Sequence, residues 1–73
     1  MHDCEFGNYN LFNPGVNLSG GIEVENEVLL GTGAQVLQYL KIEEKSTIGA
    51  GSVVTKNVDN NSTYVGIPAG IPT

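Results

Sequence analysis

The chain of 73 residues has one cysteine (Cys4), one histidine (His2), no tryptophan and no arginine. A single cysteine excludes an internal disulfide, and one His with one Cys is too small a set for a structural zinc site. Three lysines stand against eight acidic residues, for a net charge of −5, so a basic face for nucleic acid is missing. No apolar run approaches the ~20 residues of a membrane span, and no signal-peptide pattern is visible. A soluble cytoplasmic protein is therefore expected. At this length a lone core buries too little apolar surface for comfortable stability. With disulfide and metal excluded, the remaining supports are oligomerisation or membership of a longer chain.

Glycine, by contrast, is abundant, with ten residues, and the apolar residues recur with a period of six. Stepping by six from Phe6 gives Phe12, Leu18, Val24, Leu30, Val36, Ile42, Ile48 and Val54, each large and apolar. Two positions before these stand Cys4, Asn10, Val16, Ile22, Val28, Ala34, Leu40, Ser46 and Ser52, and Val58 continues that series. Two inward residues separated by one outward residue is strand alternation. The remaining positions of each hexamer are polar or glycine, as a corner requires. Three such flats close one coil of eighteen residues, so the spacing predicts an all-β parallel β-helix of about three coils. An amphipathic helix would need apolar spacing of three and four, and the glycines would break it.

Stacking each residue on the one eighteen later predicts three interior columns: Phe6–Val24–Ile42, Phe12–Leu30–Ile48 and Leu18–Val36–Val54. In the column Asn10–Val28–Ser46, a buried Asn10 needs hydrogen-bond partners. Cys4 falls in the inward register, as a packing cysteine. Glu23, Glu25, Glu27, Glu43 and Glu44 read as solvated faces, and Tyr9, Tyr39 and Tyr64 as packing or interface residues. The hexamers run to Asp59, so 1–59 is expected to form the β-helix. Residues 60–73, which hold Pro68 and Pro72, are expected to form a C-terminal tail that leaves the coil.

The hexapeptide period, the stretch "STIGAGSVVTKNV" and the tail "VGIPAG" together resemble the hexapeptide-repeat acyltransferases. The set His2-Asp3-Cys4, Pro14-Gly15 and Gly20-Gly21, in that order, is similar to the bacterial acetyltransferases acting on nucleotide-linked amino sugars or on sialic acid. The resemblance implies a left-handed parallel β-helix, assembly as a homotrimer, acetyl-CoA as co-substrate without a metal, and acetylation of an amino or hydroxyl group of a sugar. It also implies that His2 is the general base and that Asp3 raises its basicity. The amide at Gly20 would meet the thioester carbonyl, and backbone around Thr32 and Ala50 would bind acetyl-CoA.

The register places His2 in one column with Gly20, Gln38 and Lys56. At a strand spacing of roughly 4.8 Å, Lys56 stands on the order of 14 Å from His2, a reach from thioester to coenzyme A phosphate. Two positions depart from the family: Leu11 stands where relatives often have a second histidine, and Gly70 where a basic residue follows G-x-P-A. A competing reading is a non-catalytic trimerisation module or a truncated remnant of such an enzyme. The metal-dependent carbonic-anhydrase-like branch of the fold needs three histidines and is excluded by one.

Overall fold

The computed structural model describes residues 4–71. Ten two-residue strands follow one another: β1 (Glu5–Phe6), β2 (Leu11–Phe12), β3 (Asn17–Leu18), β4 (Glu23–Val24), β5 (Leu29–Leu30), β6 (Gln35–Val36), β7 (Lys41–Ile42), β8 (Thr47–Ile48), β9 (Val53–Val54) and β10 (Thr63–Tyr64). They wind into three parallel sheets, β1–β4–β7, β2–β5–β8–β10 and β3–β6–β9. Through β9 every pairing has an offset of eighteen: Phe6 beside Val24, Leu30 beside Ile48, Val36 beside Val54. The three columns are therefore those the spacing predicts, and the architecture is consistent with a left-handed parallel β-helix. Hydrogen bonds run between coils, as from the Glu23 N–H to the Leu40 carbonyl at 3.0 Å.

Ile22, Leu30, Ile42 and Ile48 are fully buried, with Val28, Ala34, Val36, Val54 and Val58 close to it. Each large side chain contributes roughly 1.5–3 kcal/mol on burial. Two polar residues share the interior, and each is satisfied. The Ser46 hydroxyl donates to the Glu43 carbonyl, and Ser52 Oγ accepts the Gly66 N–H at 3.0 Å. Asn10 meets its predicted need: its Oδ1 accepts the Val28 N–H at 2.8 Å and its Nδ2 donates to the Gly7 carbonyl at 3.4 Å. Cys4 is half-buried against the core and its Sγ donates to the Ser19 carbonyl.

Phe6 and Phe12 differ from the expected interior setting, being 46% and 37% exposed. They belong to the first coil described, and among the described residues another coil packs against it on one side only. Their rings meet edge to face at 5.4 Å, an arrangement that recovers part of the lost contact.

The corners explain why the period holds. Tyr9, Gly15, Gly21, Glu27, Gly33, Tyr39, Lys45 and Gly51 all have positive φ, between 58° and 80°, and they too recur every six residues. Each takes the second place of its corner and turns one flat into the next.

The stacking continues beyond Asp59, which the spacing alone does not predict. Val58 bridges Ile42, and β10 pairs with β8 (Tyr64 beside Ile48), both at an offset of sixteen. The corner after Val54 is two residues shorter than the others. Val58 thus stacks on Ile42 rather than continuing the Leu40 column, and Asn57 Oδ1 accepts the Lys41 N–H at 2.9 Å. Residues 65–70 also stay against the coil. Val65 and Gly70 form an antiparallel bridge, Val53 N–H donates to the Gly66 carbonyl, and Ala69 N–H donates to the Val53 carbonyl. Gly66–Ala69 covers the edge of β9 that would otherwise be unpaired.

The corner geometry sets opposite expectations for two substitutions. Glu27 is exposed with φ 58°, so Glu27→Gly should remove part of a strain of about 1–2 kcal/mol and raise the urea midpoint. Gly51 has open space around its Cβ position but a φ of 70°. Gly51→Ala should destabilise the fold by about 1 kcal/mol through backbone strain alone, and so lower the midpoint.

Candidate functional site

The three edges of the prism carry different chemistry. One column of corners runs Asn8–Tyr9, Asn26–Glu27, Glu44–Lys45, Asn60–Asn61, and its left-handed residue always bears a side chain. A second runs Pro14–Gly15, Thr32–Gly33, Ala50–Gly51, and its left-handed residue is always glycine. The third runs Gly20–Gly21, Gln38–Tyr39 and the shortened turn at Lys56–Asn57.

The sequence-predicted residues fall on the second and third edges. Thr32 and Ala50 are stacked neighbours on the glycine edge; both are exposed, and the Gly51 N–H donates to the Thr32 carbonyl at 2.8 Å. Gly20 lies on the third edge, where its carbonyl accepts the Tyr39 N–H at 3.0 Å. Lys56 is exposed two coils further on. These four residues do not form one cluster; they border the sheet β3–β6–β9 from its two sides. His2 and Asp3 lie outside the described residues.

Charge is partitioned in the same way. Glu5, Glu23, Lys41, Glu25 and Glu43 project from the sheet β1–β4–β7, where Lys41 Nζ lies 3.8 Å from both Glu25 and Glu43. A hollow of about 190 Å³ on this face is lined by Glu5, Phe6, Gly7, Glu23, Val24 and Glu25. Its carboxylates would repel a phosphate-bearing ligand. The outward residues of β3–β6–β9 and the positions after them are Asn17, Ser19, Gln35, Leu37, Val53 and Thr55, none of them charged. Among the described residues Lys56 forms no ion pair, so its charge is not neutralised as that of Lys41 is.

The third edge holds a feature that sequence reasoning missed. A Cβ on Gly21 would stand 2.5 Å from Cδ1 and 2.8 Å from Cε1 of Tyr39, so the Tyr39 ring lies in the space that Gly21 leaves. Of the three tyrosines expected to be packing or interface residues, Tyr64 is half-buried against the core, whereas Tyr39 is 78% and Tyr9 89% exposed. The eighteen-residue spacing from Gly21 to Tyr39 is the signal that could have located this contact. Among the described residues no group of three or more His, Cys, Asp or Glu could hold a metal. No helix among them is long and apolar enough to cross a membrane.

No protein-family model matches the chain. It is 42% identical to a serine acetyltransferase of Bacillus subtilis, over 93% of its own length and 35% of that protein's. In structure it superposes on PerB from Caulobacter crescentus, solved with CoA and GDP-perosamine, with a TM-score of 0.92 and 34% identity over 99% of this chain and 35% of that one. The acetyltransferase domain of PglB from Neisseria gonorrhoeae gives a TM-score of 0.94 and 31% identity, over 96% of this chain and 34% of that one. The chain thus spans about a third of the length of the relatives it matches.

The glycine edge is testable without any ligand. Gly31 is buried, and a Cβ there would stand 2.6 Å from the Ala50 nitrogen. Gly31→Ala should therefore cost about 1–3 kcal/mol by forcing the Thr32 and Ala50 corners apart. Exposed Thr32→Ala should stay within about 0.5 kcal/mol of wild type in the same urea titration.

Proposed function

We propose that this chain, a hexapeptide-repeat acyltransferase by sequence and by fold, binds acetyl-CoA along its β3–β6–β9 sheet and takes part in acetylating an amino or hydroxyl group of a nucleotide-linked sugar. The observation that carries this reading is the uncharged sheet bordered by Gly20 and Lys56 on one edge and by Thr32 and Ala50 on the other. An anionic, extended co-substrate suits that face and not the carboxylate-lined one.

In this reading the Gly20 amide donates to the thioester carbonyl, stabilising the oxyanion that develops as the acceptor attacks. Backbone at Thr32 and Ala50 binds acetyl-CoA from the other edge of the sheet, Lys56 meets a phosphate, and the chain assembles as a homotrimer. His2, eighteen residues before Gly20 in sequence, takes the proton from the attacking amine or hydroxyl, with Asp3 raising its basicity. The acceptor then attacks the thioester carbon directly, and coenzyme A leaves as the thiol. The solution of PerB with CoA and GDP-perosamine supports a sugar acceptor. The serine acetyltransferase relatives, at 42% identity, favour a second reading in which the acceptor is the serine hydroxyl. The reaction is assigned to the cytoplasm, where acetyl-CoA is available.

Calorimetry with acetyl-CoA should show binding to the wild-type chain and its loss in Gly20→Val. Lys56→Ala should weaken binding by about tenfold, the worth of one hydrogen bond to a charged group. His2→Ala should leave binding intact and lower turnover by roughly 10²–10⁴. Nucleotide-linked amino sugars and L-serine, assayed side by side, distinguish the two acceptors. No acetyl-CoA binding by the wild-type assembly would sink the catalytic reading and leave a trimerisation module.

A further inference from the structure

We infer that Tyr39 is a contact residue for the acyl end of the pantetheine arm, its ring forming a wall at the Gly20–Gly21 corner. The inference rests on the acetyl-CoA reading above and adds to it a residue that the motif resemblance does not supply.

Three observations meet at this ring. Tyr39 occupies a left-handed corner, φ 61°, that four of the eight regular corners give to glycine. A tyrosine there carries a strain of about 1–2 kcal/mol that a glycine would not. The ring rests against the corner of the coil before it: it lies in the space left by the missing Cβ of Gly21, and the Tyr39 N–H donates to the Gly20 carbonyl at 3.0 Å. Yet the residue is 78% exposed, so the strain is not offset by burial within this chain. A strained, seated and largely exposed aromatic ring offers an apolar surface that something else can cover.

The position identifies what covers it. On this edge Gly20 lies one coil before Tyr39 and Lys56 one coil after it, so the ring stands between the proposed thioester donor and the proposed phosphate contact. The part of coenzyme A that spans that interval is the uncharged pantetheine arm. Its methylene and amide groups suit the face of a phenol ring, and the adjoining Leu37, 45% exposed, extends the apolar strip.

Tyr39→Gly keeps the corner conformation and removes the ring; Tyr39→Phe keeps the ring and removes the hydroxyl. The probes are acetyl-CoA and adenosine bisphosphate, the nucleotide end of coenzyme A without the arm. Tyr39→Gly should weaken acetyl-CoA by about five- to tenfold and leave adenosine bisphosphate unchanged, while Tyr39→Phe should match wild type with both. Sedimentation of each variant gives the assembly state. Unchanged acetyl-CoA affinity in Tyr39→Gly, or an equal loss for both probes, overturns the inference. So does a fall in assembly state, which would make the ring a subunit contact. Wild-type protein that binds neither probe overturns the acetyl-CoA reading itself, an outcome distinct from a failure confined to Tyr39→Gly.

Discussion

From Tyr9 to Gly51 one residue in six turns the backbone through positive φ, and the stack of full eighteen-residue coils depends on those turns keeping one phase. Because Tyr9, Gly15, Gly21 and their successors to Gly51 keep step, each flat begins at the same point of the hexamer. Phe6, Val24 and Ile42 can then face inward on one line. A slip of one residue at any corner would rotate the following strand and send its apolar residue to solvent. The interior columns are thus a consequence of the corners as much as of the hydrophobic effect, and the serines at 46 and 52 are tolerated because each finds a hydrogen-bond partner.

The same constraint divides the surface into parts with different uses. Where the left-handed residue is glycine, at 15, 33 and 51, the edge presents nearly bare backbone, and Gly31 lets the coils approach closely. Where it bears a side chain, at 9, 27 and 45, the edge accepts strain in exchange for chemistry at its vertices. The third edge mixes the two, with Gly21 making room for Tyr39. Residues proposed to bind acetyl-CoA lie only on the edges that contain glycine.

The columns were legible in the sequence because a period-six pattern needs only residue type and spacing. Three features were not legible, each for a physical reason. Exposure of Phe6 and Phe12 depends on how many coils lie above them, and local spacing carries no such information. The turn at Thr55–Asn57 is two residues shorter than the others, so counting by six ends at Asp59 while the stack runs on to Tyr64. The contact of Tyr39 with Gly21 depends on which way an exposed ring leans, which the register permits without dictating. As for the candidate site, spacing put Gly20 and Lys56 on one edge and Thr32 with Ala50 on another, but it did not reveal the uncharged sheet between them.

That sheet also bears on how a chain of net charge −5 could hold a polyanionic co-substrate. A Debye length of about 8 Å at physiological ionic strength makes the placement of charges matter more than their sum. Glu5, Glu23, Glu25 and Glu43 lie on the β1–β4–β7 face, and Glu27 and Glu44 on the edge that bears side chains. Lys41 partly neutralises the first group through pairs at 3.8 Å, each contributing little by itself at such exposure. The β3–β6–β9 face has Lys56 on its border and no carboxylate among its outward residues. A phosphate approaching from that side meets one cation at close range, with most of the acidic charge screened behind the prism. Net charge therefore argues against nucleic-acid binding over the whole surface, but not against a single phosphate-bearing ligand on this face.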